Sequence, residues 1–299
     1  MNKRLNYRQT EILWAIVMAG SISGAARLLN ISQPAVSRML GQVEKQLATK
    51  LFERVRGKLQ PTQEVRSLFD EIERAQRVMG RINDIADSLA DCSAGSLNMT
   101  AIPSLMHGLL PQVIARFNKE MPNVMLRMHT DIVHSMVELV LQGEVELGFV
   151  VFLTEHPYLT VLPLTQGRMV AAVPADSDLA DRKQVTLAEI AQYPQIVVGS
   201  RMPYGMLSLS AMDSQGLRYR ICADVPWSNQ ACALVNIGMG VAIIDEFTAS
   251  KNLWPNVRMI PLKEKIPLQV NIIHARDRAL SEAAQRFIQI SREYVSNRQ

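Results

Sequence analysis

The spacing of apolar and polar positions divides this chain into three parts. Up to residue 48, apolar side chains recur every three or four positions, which predicts three short helices. From residue 62 to about 91 the same period continues, which predicts one long helix. Beyond residue 96, short apolar runs alternate with helical patterns, an arrangement typical of an α/β domain.

The first helix is predicted over residues 5–19 and the third over residues 33–48. The second helix is predicted to begin directly after an N-cap at Ser23. Gly20 is expected to end the first helix. Ser32 is a favourable N-cap for the third helix, and Pro34 is tolerated in its first turn. One face of the third helix is an apolar stripe formed by Val36, Leu40, Val43 and Leu47.

The opposite face of the third helix is polar and predicts contact with DNA. Gln33, Ser37 and Arg38 lie near its N-terminus, the end from which a recognition helix contacts base edges in the major groove. Only Asn30 and Ile31 separate this helix from the preceding one. The segment therefore predicts a helix-turn-helix that binds double-stranded DNA.

Charge also indicates that the N-terminal part binds a polyanion. Residues 1–62 hold ten Lys/Arg against three Asp/Glu, a net +7, whereas the remaining residues hold 22 against 25, a net −3, within a total of +4. Arg54, Arg56 and Lys58 surround Gly57 and predict a basic β-wing with that glycine at its tip. Cations on such a wing contact phosphates and supply affinity rather than sequence choice.

The long helix carries apolar residues in alternating steps of three and four. This seam consists of Val65, Leu68, Ile72, Ala75, Met79, Ile82, Ala86 and Leu89. Such a pattern is typical of a coiled coil and predicts a homodimer. The alternative is a helix that packs on its own domain.

The C-terminal part follows a small-residue hinge at residues 93–96. Strands are predicted over 97–102, 124–128, 147–151, 196–199, 219–223, 241–244 and 269–274. Helices are predicted over 105–120, 133–142, 203–214, 229–237 and 280–296. This alternation predicts α/β units with largely parallel sheets.

Composition adds exclusions rather than a function. No run of 18 apolar residues occurs, and the N-terminus leads into an amphipathic helix, so neither a membrane span nor a signal peptide is expected. Cys92, Cys222 and Cys232 lack metal-ligand spacing, which predicts a reduced, cytoplasmic protein. The five histidines also lack metal spacing, and nucleotide or hydrolase fingerprints are missing from the sequence. We therefore expect no catalytic residue, no metal, no cofactor and no enzymatic activity.

Residues 1–62 resemble the winged helix-turn-helix of LysR-type transcriptional regulators. The matching residues are Gly20-Ser21, Ala25-Ala26, Leu29, Ser32-Gln33-Pro34-Ala35-Val36-Ser37, Glu44, Leu47 and Leu51-Phe52-x-Arg54. The resemblance continues less strictly through Phe117 before Pro122, Gly143 before Glu146-Leu147, and Ala233-Leu234-Val235 before Gly238-x-Gly240-Val241. Two positions depart from the family pattern. Ala48 replaces a usual glycine, and Pro61-Thr62-Gln63-Glu64 replaces a small, Gly-containing helix start.

The resemblance implies an N-terminal all-α winged helix-turn-helix over residues 1–62 and a dimerisation linker helix over 63–92. It implies a C-terminal α/β effector domain over 93–299, built like a periplasmic binding protein from two Rossmann-like subdomains. Subdomain I is expected over about 96–165 and 266–299, and subdomain II over about 166–265. The family also implies a bacterial, cytoplasmic and nucleoid-associated regulator that assembles as a homotetramer and can contact RNA polymerase.

The DNA-binding residues expected from the motif and the wing are Ser32, Gln33, Pro34, Ala35, Ser37, Arg38, Arg54, Arg56 and Lys58. A small-molecule effector is expected in the cleft between the subdomains, where strands end against helix N-termini. The effector-binding residues expected there are Ser104, Thr130, Asp131, Ser200, Arg201 and Trp227.

Asp131 and Arg201 decide which effector chemistry the sequence favours. Arg201 suits a carboxylate and Asp131 an ammonium group, so the pair favours an amino-acid-like effector over a simple aromatic acid. The expected effector is an amino acid or an organic acid. The alternatives are ordinary helix caps, a solvated arginine and a Trp227 that anchors the core. A redox-sensing regulator that uses Cys222 and Cys232 is the other functional hypothesis, although neither cysteine is flanked by cations in the sequence.

Overall fold

The computed structural model describes residues 4–55, 58–90, 95–152, 155–248 and 253–297. The chain divides into two compact units, Met1–Asp91 and Cys92–Gln299, and each is described by itself. Among the described residues no single helix is long and apolar enough to cross a membrane.

The first unit is a small helical domain with one β-hairpin. Its elements are α1 (Tyr7–Ala19), α2 (Ile22–Leu28), α3 (Gln33–Leu47), β1 (Phe52–Val55), β2 (Lys58–Pro61) and α4 (Gln63–Ala90). β1 and β2 pair antiparallel, with Arg54 opposite Leu59. The core is formed by residues such as Ile12, Leu13, Ala25, Val36 and Val43.

The N-cap of α2 is Ser21, so the predicted cap at Ser23 is wrong. Gly20 adopts a left-handed conformation that turns the chain out of α1. Ser21 is therefore already extended, and its hydroxyl accepts the Gly24 N–H at 3.0 Å. The helix begins two residues earlier than predicted because the turn at Gly20 leaves no intervening loop.

The ends of α3 carry two unusual features. Ser32 is the N-cap residue, but its side chain makes no capping hydrogen bond, contrary to the prediction. At the other end Ala48 has φ 54° and ψ 35°, the left-handed conformation that glycine usually provides. Ala48 thus takes a backbone conformation that favours glycine, the residue that the family pattern has at this position.

The first half of α4 packs on its own domain. Val65 and Ile72 are buried in the core of the first unit, so the prediction that they face a partner is wrong. The Tyr7 hydroxyl donates to Gln76 Oε1 at 2.8 Å, which also holds α4 against α1. Leu68 and Ile82, on the rest of the seam, remain exposed.

The second unit contains, in chain order, β3 (Ser96–Ala101), α5 (Pro103–Gly108), α6 (Leu110–Glu120), β4 (Met125–Thr130), α7 (Val133–Gln142), β5 (Leu147–Val151), β6 (Leu159–Pro174), α8 (Leu187–Ile190), β7 (Pro194–Val198), α9 (Pro203–Asp213), β8 (Arg220–Val225), α10 (Ser228–Asn236), β9 (Val241–Asp245), β10 (Val257–Pro261), β11 (Pro267–Ala275) and α11 (Glu282–Ser296). The predicted helix over 105–120 is two helices, because Pro111 cannot donate a backbone hydrogen bond and lies in the first turn of α6. The elements β6, β10 and α8 have no counterpart among the predicted strands and helices.

The strands form one mixed sheet in the order β4-β3-β5-β11-β6-β9-β7-β8, with β10 also paired to β6. β3 runs parallel to β4 and β5, and β7 runs parallel to β8 and β9. β6 pairs antiparallel with β11, β9 and β10, so the sheets are less parallel than predicted. We call β3–β5, β11 and the first part of β6 the first lobe, and β7–β10 with the second part of β6 the second lobe.

Candidate functional site

The exposed face of α3 is polar, and its buried face is the predicted apolar stripe. Val36, Leu40 and Val43 are buried in the first unit. Ser32, Gln33, Pro34, Ser37 and Arg38 are exposed, and Ala35 is half-buried. The six predicted contact residues of α3 thus lie at one helix end, with their apolar neighbours turned inward. This arrangement suits insertion into a groove.

Glu44 joins the end of α3 to the hairpin. Its carboxylate accepts hydrogen bonds from Lys50 Nζ and from the Leu51 backbone N–H, both at 2.9 Å. Burial by itself would raise the pKa of Glu44, but the bonds from Lys50 and Leu51 outweigh it and hold this pKa below its usual value. The motif residue Glu44 therefore fixes the start of the hairpin relative to the C-terminal end of α3.

The predicted wing is only partly described. Arg54 lies on β1 and Lys58 on β2, where Lys58 is the register partner of Val55. Arg56 and Gly57 lie outside the described residues, as does Cys92. The phosphate contacts expected of Arg54, Arg56 and Lys58 remain a prediction.

The second unit contains a cleft between its two lobes, with an empty volume of about 530 Å³ that includes its open mouth. Its lining consists of Ile102, Pro103, Ser104, Ile132, Val133, Val151, Phe152, Val198, Met202, Pro203, Tyr204, Pro226, Trp227, Ser228 and Asn229. The N-terminal ends of α7, α9 and α10 lie in this lining. The apolar walls of this cleft are typical of a small-molecule site.

Two of the six predicted effector residues line this cleft, Ser104 and Trp227. The other four, Thr130, Asp131, Ser200 and Arg201, are not part of its lining. The Asp131 carboxylate accepts the Ile132 N–H at 2.7 Å, and the Ser200 N–H donates to the Asp224 carboxylate at 3.1 Å. Thr130 and Arg201 are exposed. The cleft lining thus excludes the charged pair on which the amino-acid preference was based.

The structure adds Tyr204, which the sequence analysis missed. The Tyr204 Oη and Ser104 Oγ atoms lie 3.3 Å apart, which joins the second lobe to the first. The Tyr204 ring also meets Phe152 edge to face, with centroids 5.4 Å apart. Burial raises the pKa of Tyr204 well above its usual value, and the nearby Asp245 charge raises it further. Phe152 itself has φ 72°, a strained conformation for a residue with a side chain.

Ser228 and Asp245 form the second feature that the sequence analysis missed. The Ser228 hydroxyl donates to Asp245 Oδ2 at 2.7 Å, and both residues are buried. Thr248 donates its backbone N–H to Asp245 Oδ1 at 2.9 Å and its hydroxyl to Oδ2 at 3.0 Å. Burial outweighs the opposing hydrogen bonds from Ser228 and Thr248 and raises the pKa of Asp245 above its usual value. An acidic residue at the end of the apolar strand Val241–Asp245 was the available sequence signal.

The cysteines do not resemble a redox pair. Cys222 and Cys232 are both free. Burial, aided by the Asp245 charge, raises the pKa of the Cys232 thiol to about 12. The Cys222 thiol donates to the Gln195 carbonyl at 3.3 Å. A thiol that stays protonated is a poor nucleophile and a poor metal ligand. Within the described ranges no group of three or more His, Cys, Asp or Glu could hold a metal ion.

Two family models match this chain. Residues 7–66 match the bacterial regulatory helix-turn-helix protein, lysR family, and residues 91–296 match the LysR substrate binding domain. Together with the polar α3 face and the two-lobed cleft, these matches define a DNA-binding transcriptional regulator with an effector-binding domain. The chain belongs to the LysR family of transcriptional regulators.

Relatives and solved structures agree with this assignment. The chain is 28% identical to the HTH-type transcriptional regulator DgcR of Pseudoalteromonas sp, over 95% of this chain and 98% of that protein. It is 30% identical to the regulatory protein NocR of Agrobacterium fabrum, over 81% of each. Full-length CbnR in complex with its target DNA has the same fold, with a TM-score of 0.80, 21% identity and coverage of 97% of this chain and 100% of that one.

Proposed function

We propose that this protein is an effector-responsive regulator that binds its operator as a homodimer, within a homotetramer, and changes operator binding or bending when a small molecule enters the cleft. The observation that carries the DNA-binding part is the two-sided α3, with a buried apolar stripe and exposed Gln33, Ser37 and Arg38. The apolar cleft between the lobes supports the effector part. The site of action is the cytoplasm, and RNA polymerase is the downstream partner.

Base contacts are assigned to Gln33, Ser37 and Arg38. Arg38 suits the paired acceptors of guanine, Gln33 those of adenine, and Ser37 either base. Ala35 meets a thymine methyl group, and Ser32 and Pro34 place the α3 N-terminus against a phosphate, where backbone N–H groups favour an anion. Arg54, Arg56 and Lys58 supply the remaining phosphate contacts.

The dimer is assigned to the exposed part of the α4 seam. Val65 and Ile72 are already buried within one chain, which leaves Leu68, Val78 and Ile82 as exposed large apolar side chains on the same helix. A 28-residue helix is about 42 Å long. Two such helices can present two DNA-binding domains to neighbouring major grooves about 34 Å apart.

The effector site is assigned to Ser104 and Trp227, as predicted from the sequence, and to Tyr204 and Ser228. These four residues place three hydroxyl groups and one indole ring around an apolar space. A ligand held there contacts both lobes. It therefore shifts the equilibrium between lobe arrangements by its differential affinity for them.

The test has two measurements on the full chain. Operator fragments are selected from genomic DNA with the wild-type protein, and their affinity is then measured for the wild type and for Arg38→Ala. A thermal-shift screen of metabolites follows, because a ligand present at 100 times its Kd stabilises by about 2.7 kcal/mol. Failure to select any DNA would overturn the DNA-binding part. The cleft assignment would be overturned if no metabolite raised the melting temperature. It would also be overturned if a metabolite bound Trp227→Ala as tightly as the wild type.

A further inference from the structure

The cleft is uncharged in its lining but has a buried carboxylate behind it. Among the described lining residues none is Asp, Glu, Lys, Arg or His. Asp245 is fully buried at the end of β9, and its charge affects the pKa values of both Tyr204 and Cys232. When ionised, Asp245 gives the Ser228 side of the cleft a negative potential, within an apolar surrounding that screens charge weakly.

The Asp245 carboxylate determines whether the Ser228 hydroxyl can donate or accept a hydrogen bond in the cleft. A serine hydroxyl has one proton and two acceptor lone pairs. The proton of Ser228 is directed at Asp245 Oδ2, 2.7 Å away. Ser228 therefore offers only lone pairs to a ligand in the cleft, so its hydroxyl receives a donor and repels an anionic oxygen.

The Asp245 carboxylate accepts hydrogen bonds from uncharged donors and, among the described residues, has no cationic partner. Its partners in the described part of the chain are Ser228 and Thr248, which are both uncharged donors. No Lys, Arg or His of the described ranges forms an ion pair with it. Burial without a counter-ion raises the pKa of Asp245, so a cationic ligand beside it favours the ionised carboxylate and is in turn held by it.

The Ser228–Asp245 pair also affects how α10 meets a ligand. The N-terminus of a helix favours an anion through its unpaired N–H groups and its dipole. Ser228 is the first residue of the nine-residue α10, and its side chain already holds the Asp245 carboxylate there. The chain's own anion thus offsets the attraction that this helix end would have for the carboxylate of an effector.

We propose that the cleft selects an effector with an apolar body and a protonated amine, and that the Ser228 hydroxyl oxygen receives this amine with Asp245 as the compensating charge. The apolar body packs against Phe152 and Trp227, which lie in the same lining. This inference rests on the proposed function, because it concerns the same cleft. The sequence predicted that Asp131 binds an ammonium group of the effector. The inference keeps this ammonium group but assigns its binding to Ser228 and Asp245.

The test compares probes that share an apolar body and differ in charge. One set is leucine, 3-methylbutylamine and 4-methylpentanoate; the other is phenylalanine, 2-phenylethylamine and 3-phenylpropanoate. Binding to the full chain is measured by calorimetry. In at least one set we expect the amine-bearing members to bind at least tenfold more tightly than the acid without an amine, because a hydrogen bond to a charged group is worth about one to two powers of ten.

Two variants identify the residues responsible. Asp245→Asn preserves the shape but removes the charge, and Ser228→Ala removes the acceptor while Thr248 still holds Asp245. Each is expected to lower amine affinity at least tenfold without weakening binding of the acid, because the substitution removes a group that disfavours a carboxylate. Asp224→Asn is the matched control, since this exposed carboxylate lies near the end of β8, outside the lining. It is expected to retain the amine preference.

The outcomes separate this inference from the proposed function. Tighter binding of the acids, or an amine preference that survives both variants, would show that the cleft binds effectors without this selection. Binding of no probe in either set also overturns the inference. Failure of the operator selection described above is the separate result that rejects the regulator itself.

Discussion

The hydroxyl groups of Ser104 and Tyr204 lie 3.3 Å apart although the residues are 100 positions apart in the chain. Ser104 belongs to α5 of the first lobe, and Tyr204 belongs to α9 of the second. The Phe152 ring packs against the same tyrosine. One side chain of the second lobe thus makes a polar and an aromatic contact with the first lobe, inside the cleft where we place the effector.

Tyr204→Phe is therefore expected to lower the free energy of unfolding by about 1 kcal/mol, since it removes a buried hydrogen bond and keeps the ring contact. Urea denaturation measures the difference. Tyr219→Phe is the matched control. Its hydroxyl bonds to Asp213 on the surface at 2.7 Å, within a span of six residues. Equal effects of the two substitutions would contradict a special contribution of the cross-lobe contact.

Arg38→Ala is expected to weaken operator binding by about 1–3 kcal/mol and to reduce discrimination against mutated operators, because a bidentate base contact is lost. Gel-shift titrations with the selected operator and with single-base variants measure both effects. Lys45→Ala removes a cation from the last turn of the same helix and serves as the control. The assignment fails if Arg38→Ala and wild type discriminate equally.

Ala48→Gly is expected to stabilise the first unit by about 0.5–1 kcal/mol. An L-residue in the left-handed conformation is strained, and glycine adopts it freely. Gly20→Ala is the reverse experiment at the end of α1, where φ is 62°, and we expect it to destabilise by a similar amount. Thermal or urea unfolding of both variants measures these changes. A stability decrease for Ala48→Gly would mean that the larger chain entropy of glycine in the unfolded state outweighs the strain.

Ile82→Glu is expected to raise the dissociation constant of the dimer at least tenfold, because Ile82 is half exposed on the α4 seam and a buried charge without a partner is costly. Analytical ultracentrifugation measures the constant. Asn83→Glu introduces the same charge at the next, exposed position and is expected to leave the dimer intact. If both variants dimerise like the wild type, the seam is not the dimer interface.

The Cys232 thiol is expected to resist alkylation at pH 8 in the folded protein and to react after unfolding, because its pKa is raised to about 12. Peptide mapping after iodoacetamide treatment distinguishes it from Cys222, which is partly exposed. Since the thiol keeps its proton in the folded state and ionises near pH 9 when unfolded, its contribution to stability is lost as pH rises from about 9 to 12. Rapid labelling of folded Cys232 would revive the redox hypothesis.

Local patterns were sufficient for the elements of the first unit and for most of the second. The stripe through Val36, Leu40 and Val43 predicted the buried face of α3 because helical periodicity depends only on neighbours along the chain. The same reasoning failed for Val65 and Ile72. Their spacing fits a coiled coil and a helix packed on its own domain equally well, and only the contacts with the α1–α3 core distinguish the two.

The long strand β6 was missed for a related reason. Its first part, next to β11, is half-buried or exposed after Leu159, and its second part is a continuous buried apolar run beside β9 and β10. A single strand that passes from one lobe to the other has no uniform period, so a search for one pattern does not find it.

The sequence by itself determined the DNA-facing end of this protein, because the helix-turn-helix encodes both its apolar stripe and its polar face within residues 20–47. It also determined the α/β class of the C-terminal part. Only the tertiary structure decided the composition of the cleft. It brought Ser104 to Tyr204 and Ser228 to Asp245 and left Asp131 and Arg201 out of the lining. Contacts between residues 17 to 100 positions apart depend on how strands and helices cross, which no local spacing specifies.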